Sequence, residues 1–350
     1  MKQLEITSKI QEKLENLLRD IPFLQWEHAL IDEPSASFRP DLLLEITTQT
    51  GRQKIMVEVK SMGEPRYVRY SIQQLKEYIA QFEDAYGVVA ASYISSDTAR
   101  ICRENSVGYI DLAGNCFLNF DQVYINRENY PSVSRERRTL RSLYTPKASR
   151  ILRVMLCSPR RSWQLQELAS EAKVSLGLAF KVKERLLDLE YAREEKKRIC
   201  LNHPEKILAK WAEYYSFRKN KIYDYFGLIE LKELEQKIAQ CCREKEIPYA
   251  FSLFSGAALV APFARYTRGF VYVGDKIQEV AESVGLKSVS SGPNFTILEP
   301  YDEGVFYASR ETEGLIIACD VQLYLDLIGY RGRGEESAEF LLEQRIKPEW

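Results

Sequence analysis

The spacing of apolar residues predicts alternating helices and short strands up to about residue 130. Residues 4–20 carry apolar side chains at near-helical spacing, which indicates an amphipathic helix. DLLLEITTQ and KIMVEVKSM are short, apolar and β-branched, and because the turn-prone TGRQ separates them we expect two adjacent strands. The remaining elements complete a mixed α/β domain. They are a helix at about 68–84, the buried strand YGVVAASYI, a helix near 96–105, and one or two strands in GYIDLAGNCFLNF.

The pattern becomes mainly helical from about residue 145. PKASRILRVMLCSP, WQLQELASEA and LGLAFKVKERLLDLE predict three helices, with the short break KVS before the third. YAREEKKRICLN then predicts two short strands joined by a charged tip. Three helices followed by a hairpin is the order of a winged helix. From about residue 205 the chain opens with aromatic-rich helices and continues as mixed helix and strand.

Composition indicates a soluble globular protein, since 45% of its 350 residues are hydrophobic and 28% are charged. This length allows two or three domains with separate cores. The charged N-terminus does not resemble a signal peptide and no apolar run approaches about 18 residues, so we expect a cytoplasmic protein without membrane contact. Seven scattered cysteines without a CxxC pair predict reduced core residues. The two histidines, His28 and His203, exclude histidine-rich metal sites and most histidine-dependent nucleophiles.

Positive charge is concentrated just before and within the predicted winged helix, although the net charge is −1. Such a one-sided block predicts either a phosphate-contacting surface or a solvated linker. The single acid in this block is Glu136, and its basic residues are Arg135, Arg137, Arg138, Arg141, Lys147, Arg150, Arg153, Arg160 and Arg161.

The two predicted strands near residue 50 carry charged residues that alternation places together. Glu58 and Lys60 emerge on the same side of their strand, with Val59 opposite. If the preceding strand pairs with it, Asp41 approaches the same end of the sheet. Two carboxylates form a hard oxygen site suited to Mg²⁺ or Mn²⁺. The lysine then orients or deprotonates the attacking water, or stabilises charge in the transition state.

This order of residues resembles the PD-(D/E)xK nuclease superfamily, with the match at Pro40, Asp41, Glu58 and Lys60. The resemblance continues in the next predicted helix, where Gln74 and Tyr78 share one face and match the QxxxY motif of RecB-like nucleases. In that motif the pair contacts the substrate or supports the site. Nucleases of this class often place a glutamate on the first helix, and both Glu12 and Glu15 fit. The alternatives are chance alternation of charge on a solvated strand, and an inactive scaffold.

The predicted winged helix carries basic residues suited to duplex DNA. Its third helix could lie in the major groove while the wing and the upstream arginines hold phosphates. Winged helices also serve as protein-interaction modules, and that alternative stays open. The predicted DNA contacts here are Ser175, Lys181, Lys183 and Arg185 on the third helix, Lys196, Lys197 and Arg198 at the wing, and the upstream Arg137, Arg138, Arg141, Lys147, Arg150, Arg153, Arg160 and Arg161.

Three segments resemble AbiEi-family antitoxins, the transcriptional regulators of type IV toxin and antitoxin systems. They are GYIDLAGNCFL, SLYTPKASRILRVML and the C-terminal CDVQLYLDLIGYRGRGEESAEFLLEQRIKPEW. The resemblance implies a bacterial or archaeal DNA-binding regulator with a winged helix and a cognate toxin or other defence protein as partner. The nuclease-like front domain departs from a minimal antitoxin and argues against a purely repressive role.

The last part of the chain offers no complete catalytic motif. A nucleotidyltransferase needs a Gly-Ser turn followed by paired aspartates. Ser255 and Gly256 stand in the reverse order and Asp275 is alone, so we expect a noncatalytic domain. PYDEGVF and GYRGRGEE predict a turn and a loop between helices.

The sequence thus predicts an α/β plus α+β multidomain protein: a restriction-endonuclease-like mixed sheet at 1–130, a basic linker at 131–146, a winged helix at 147–203 and a mixed α/β domain at 204–350. The leading hypothesis is a Mg²⁺-dependent nuclease that the winged helix positions on DNA, in defence or mobile-element biology. The alternative is an AbiEi-like regulator or antitoxin that binds operator DNA and keeps the front domain as an inactive scaffold. A homodimer would suit cleavage of both strands or a palindromic operator.

Overall fold

The computed structural model describes residues 3–31, 40–82, 84–132 and 143–350. The chain forms two compact units, one of residues 1–139 with 188–190 and one of residues 140–187 with 191–350. The described residues form mixed sheets and helices, so the prediction of a mixed α/β protein is confirmed.

The first unit is built on a seven-stranded sheet in which the strand order follows the chain order. The three central strands run parallel, and the strands on either side are added antiparallel. The two strands predicted around TGRQ pair as expected. The strands are β1 (Gln25–Ile31), β2 (Leu42–Thr47), β3 (Arg52–Lys60), β4 (Ala85–Ala91), β5 (Gly108–Asp111), β6 (Cys116–Phe120) and β7 (Val123–Arg127).

Helices cover both faces of this sheet, which explains why the central strand β3 is apolar on both sides. Ile55, Val57 and Val59 pack in the core that includes the apolar stripe of helix α1. Met56 points the other way, into the core formed with helices α2 and α3. Glu58 and Lys60 have the parity of Met56, so alternation directs them to the α2 side. The helices are α1 (Gln3–Arg19), α2 (Pro65–Ile79) and α3 (Ser96–Glu104).

The second unit begins with three helices and a small three-stranded sheet of order β8, β10, β9. The helices and the hairpin predicted over 147–203 are all present, and the two-residue strand β8 is an additional element. Lys196 and Lys197 form the two-residue turn of the hairpin with φ of 51° and 62°, the left-handed conformation that tight hairpin turns require. The elements are α4 (Pro146–Cys157), β8 (Trp163–Gln164), α5 (Leu165–Glu171), α6 (Leu176–Asp188), β9 (Ala192–Glu195) and β10 (Arg198–Leu201).

The rest of the second unit is a seven-stranded mixed sheet of order β14, β11, β15, β13, β12, β17, β16. Its two parallel pairings join β12 to β17 and β13 to β15. The strands are β11 (Lys221–Phe226), β12 (Tyr249–Phe251), β13 (Gly269–Val273), β14 (Lys287–Ser288), β15 (Phe295–Glu299), β16 (Arg310–Thr312) and β17 (Leu315–Ile317). The helices are α7 (Pro204–Tyr214), α8 (Leu231–Glu244), α9 (Leu253–Ala257), α10 (Ile277–Ser283), α11 (Asp320–Ile328) and α12 (Gly334–Leu341).

A buried polar network lies under helix α11. Asp326 is fully buried and accepts hydrogen bonds from the hydroxyls of Ser252, Tyr215 and Tyr272 at 2.5, 2.6 and 2.9 Å. The amide of Gln322 donates to the same carboxylate at 3.0 Å. Burial raises the pKa of Asp326, while the four donors favour its ionised form. The network therefore joins side chains of α11 and β13 to Ser252, which precedes α9, and to Tyr215, which follows α7.

Candidate active site and nucleic-acid interface

Glu58 and Lys60 form an ion pair where β3 ends. Lys60 Nζ donates to Glu58 Oε2 at 2.8 Å. The Glu58 side chain is only 4% exposed, whereas that of Lys60 is 23% exposed. The pair thus presents a buried carboxylate next to an ammonium group that reaches solvent.

Asp41 joins this pair from the start of β2. Leu42 lies opposite Val57 in the antiparallel register, which sets Asp41 beside the end of β3. Its Oδ2 accepts the backbone N–H of Val59 at 2.8 Å. Burial raises the pKa of Glu58, the contact with Lys60 opposes that shift, and the Asp41 carboxylate adds to the increase. Two carboxylates therefore share a small space with a single nearby ammonium group.

Helix α1 supplies a glutamine to this site. Gln3 Nε2 donates to the Val59 carbonyl at 3.1 Å and lies 3.5 Å from Asp41 Oδ1. Glu12 is exposed and stands nine residues further along the helix, a separation of about 13 Å. Glu15 accepts from Gln11 at 2.8 Å. The first helix thus reaches the site through Gln3, a residue that the sequence did not single out because it lies ahead of the expected acidic positions.

Helix α2 lines the other side of the site. Tyr78 is buried, and its pKa is raised first by burial and then by the charges of Glu58 and Asp41. Gln74, one turn earlier, has its Oε1 buried without a hydrogen-bond partner in the described part of the chain. One turn earlier again, the ring of Tyr70 is 61% exposed and its centroid lies 6.0 Å from Lys60 Nζ. Tyr70 precedes Gln74 by four residues, and this helical spacing was the sequence signal that could have placed Tyr70 at the site.

The donor set around Glu58 fits a hard divalent cation. Asp41 and Glu58 repel each other, and that repulsion is relieved by a bound cation. Among the described residues no group of three or more His, Cys, Asp and Glu side chains could hold a metal ion. Mg²⁺ is commonly bound by one or two carboxylates, with water and substrate oxygens completing its coordination. Asp41 and Glu58 are the residues that would hold it.

The GYIDLAGN segment builds the turn between β5 and β6. Asp111 is fully buried and accepts backbone N–H groups of Ile94, Gly114 and Asn115 at 2.8–3.0 Å. The Asn115 side chain donates to the same carboxylate at 2.7 Å and accepts from the Tyr130 N–H at 2.9 Å. Because these bonds occupy the carboxylate, the motif has a structural role.

Some of the predicted DNA-contacting residues of the second unit are exposed, and others are held by bonds within the unit. Ser175 caps helix α6 by accepting the Leu178 N–H at 3.3 Å. Lys183 is held between Glu184 and Glu194 at 3.2 and 3.1 Å, and Arg198 pairs with Glu167 at 3.1 Å. The exposed residues of this set are Lys147, Arg160, Arg161, Ser175, Lys181, Lys196 and Lys197.

Three arginines predicted to contact DNA are buried or nearly so. Arg150 is 13% exposed and pairs with Asp302 and Glu303 at 2.7 and 2.8 Å. Arg153 is 3% exposed and donates to Gln322 at 2.5 Å. Arg185 is 8% exposed, on the inner side of α6. Apolar packing and internal partners remove these arginines from solvent, so the fold leaves them little surface for the predicted DNA contacts.

Arg135, Arg137, Arg138 and Arg141 lie outside the described residues. The PYDEGVF segment forms the predicted turn, in which Asp302 accepts the Gly304 N–H at 2.8 Å and binds Arg150.

Taken together, the fold and the site define a mixed α/β protein with an acidic cluster and an ammonium group at the end of a parallel strand. Residues 200–347 match the family model described as "Transcriptional regulator, AbiEi antitoxin, Type IV TA system". That segment is therefore similar to AbiEi antitoxin domains. No curated protein matches the chain, and no helix in the described ranges is long and apolar enough to cross a membrane.

Two solved structures have partial similarity to this chain. EndoMS in apo form matches with 14% identity and a TM-score of 0.22, covering 29% of this chain and 45% of that one. EndoMS in complex with double-stranded DNA matches with 15% identity and a TM-score of 0.20, covering 29% and 43%. The chain thus spans less than half of either EndoMS chain.

Proposed function

We propose that the first unit hydrolyses DNA phosphodiesters with Mg²⁺ or Mn²⁺ bound at Asp41 and Glu58. The observation that carries this proposal is the convergence of Asp41, Glu58 and Lys60 at the end of β3, with Lys60 Nζ 2.8 Å from Glu58 and Asp41 bonded to the intervening Val59 N–H. The order of these residues along the chain and their positions on paired strands support the resemblance to PD-(D/E)xK nucleases.

Each residue of the site has a distinct part in this proposal. The bound metal ion would neutralise charge on the scissile phosphate. Lys60 keeps one N–H on Glu58 and has two more to donate, to the attacking water or to the transition-state oxygens. Tyr78 stays a neutral donor because its pKa is raised, and the unpaired Gln74 Oε1 is a ready acceptor on the same helix face.

Cleavage should require the metal ion and both Asp41 and Lys60. Purified protein is incubated with linear duplex, circular duplex and single-stranded DNA in Mg²⁺, Mn²⁺ or EDTA, beside Asp41→Ala and Lys60→Ala. We expect cutting only with metal, and a loss of at least about a hundredfold in each variant. Cutting that survives both substitutions would overturn the site assignment. Absence of cutting by the folded wild type on every substrate would favour the scaffold alternative.

A second candidate function is favoured by the AbiEi match at residues 200–347. We propose that residues 147–203 form a winged helix that binds operator DNA, which makes the chain a transcriptional regulator with a cognate toxin or defence protein as partner. Helix α6 follows a helix and a break, and β8, β10 and β9 form a sheet with an exposed hairpin tip. These features support the winged-helix interpretation. Such a regulator acts on cytoplasmic DNA, and a homodimer would match a palindromic operator.

The wing tip should bind phosphates. Lys196→Ala with Lys197→Ala should weaken binding to a duplex of the protein's own promoter and reduce the slope of log affinity against log salt by about two. Mobility shifts in EDTA at several salt concentrations measure both. The matched control is Lys206→Ala with Lys232→Ala, which removes two exposed lysines elsewhere in the same unit. Equal slopes for the wing variant and the control would contradict phosphate contact at the tip.

A further inference from the structure

The outward face of helix α6 carries two large apolar side chains in its first two turns. Leu176 is 47% exposed and Phe180 is 50% exposed. They are four residues apart, so they lie one above the other on the helix. The opposite face is closed, because Ala179, Val182 and Leu186 are buried in the unit. This apolar pair therefore faces solvent and contributes little to the core.

The same face has an open backbone next to the apolar pair. A Cβ added at Gly177 would meet nothing within 4 Å. Lys181, one turn after Gly177, is exposed. A flat partner can therefore approach the N-terminal half of the helix closely. Leu176 and Phe180 form an apolar edge on one side of this surface, and Lys181 forms a cationic edge on the other.

Charges around this face favour a polyanionic partner. Lys183 binds Glu194 of β9 at 3.1 Å and so attaches the hairpin to α6. The tip of that hairpin, two residues beyond Glu194, carries the exposed Lys196 and Lys197. Glu184, the acid on the outward face, is already paired with Lys183 at 3.2 Å. An apolar pair bounded by lysines suits the base edges of duplex DNA between its phosphates.

We propose that Leu176 and Phe180 read thymine methyl groups in the major groove, which makes the protein prefer A·T-rich duplex. This inference rests on the proposed DNA binding by α6. The thymine C5-methyl is the apolar group that the major groove displays, and side chains such as Ala, Thr and Phe contact it. Burying one methyl gains about 0.8 kcal/mol, which corresponds to about a fourfold change in affinity.

Two duplexes that differ only in this methyl group test the proposal. Fluorescence anisotropy in EDTA compares labelled duplexes of alternating dA-dT and alternating dA-dU of equal length. The wild type should bind dA-dT at least about fourfold more tightly. Phe180→Ala should lose most of that preference by weakening dA-dT binding alone, and Phe180→Leu should keep part of it. Lys181→Ala should weaken both duplexes equally, because a phosphate contact is independent of sequence.

The outcomes separate this inference from the function on which it rests. Failure of the wild type to bind either duplex would contradict DNA binding by this unit. Equal binding of both duplexes, or a methyl preference that survives in Phe180→Ala, would overturn thymine reading while leaving DNA binding intact. Because Phe180 is half exposed, thermal unfolding of its variants should match the wild type, which excludes misfolding as the cause of a lost preference.

Discussion

Replacing Glu58 by glutamine should abolish metal-dependent DNA cleavage while the protein stays folded. The substitution keeps the size and shape of the side chain but removes the charge that would hold the metal ion. Loss of several kcal/mol of charge stabilisation corresponds to at least about a thousandfold in rate. Single-turnover cleavage of the duplex that the wild type cuts best measures this loss. Glu45→Gln, the same change on the neighbouring strand β2, should cleave at the wild-type rate.

The same variant should be more stable than the wild type without metal at neutral pH. Burial and Asp41 raise the pKa of Glu58 in the folded state, so folding disfavours its ionised form. The resulting loss of folding free energy is absent at acidic pH, where Glu58 is protonated in both the folded and the unfolded state. It reaches its full value above the raised pKa of Glu58 in the folded state. Glu58→Gln should therefore gain stability over the wild type as pH rises from acidic to neutral.

Addition of Mg²⁺ should make the wild type more stable than Glu58→Gln, because a ligand that binds only the folded state stabilises that state. The thermal midpoint of the wild type should increase with Mg²⁺ concentration, and that of Glu58→Gln should not. A variant that cuts DNA at the wild-type rate, or whose midpoint increases equally with Mg²⁺, would show that Glu58 does not hold the metal ion.

Asp326→Ala should destabilise the second unit by about 3–5 kcal/mol, the range found when one partner of a buried charged network is removed. The truncation leaves the donors of Ser252, Tyr215, Tyr272 and Gln322 without their acceptor in a site that is closed to water. Urea unfolding followed by tyrosine and tryptophan fluorescence measures the change as a lower midpoint.

A second aspartate provides the matched control for this prediction. Asp275 lies exposed in the loop after β13, and Asp275→Ala should change the free energy of unfolding by no more than about 0.5 kcal/mol. Equal midpoints for the Asp326 variant and the Asp275 variant would mean that the hydroxyls find other acceptors and that the network does not stabilise the unit.

The periodicity of apolar residues along the chain was sufficient to predict most of the helices and strands, but it missed strands β1 and β8. The strands around TGRQ and the helices α1, α2, α4, α5 and α6 were all predicted. Strand β1 was missed because QWEHALI mixes polar, aromatic and small residues without clean alternation. Strand β8 has only two residues, Trp163 and Gln164, and its pairing with β10 is a tertiary contact that no local pattern records.

The burial of the basic residues was not predicted from the sequence, because the positions of charges along the chain do not report which side chains the fold covers. Arg153 was predicted to contact phosphate but lies 5.0 Å over the ring of Trp211, which is 58 positions later in the chain. Arg150 forms ion pairs with Asp302 and Glu303, which lie more than 150 positions later in the chain. Lys196 and Lys197 were predicted from a local turn pattern, and they are exposed as expected.

The sequence by itself determined that Glu58 and Lys60 lie on one side of their strand, since side-chain alternation depends only on the local backbone. The similarity of residues 200–347 to the AbiEi family model is likewise a property of the sequence alone, because it lies in a long pattern of residue types. Only the tertiary structure decided that Asp41 and Gln3 meet Val59, that Tyr70 stands near Lys60, and which arginines are buried. Pairing of β2 with β3 places Asp41 at Val59, and packing of α1 and α2 against the sheet places Gln3 and Tyr70 at the same end of β3. The arginines are buried by partners that lie far along the chain, such as Trp211 and Asp302.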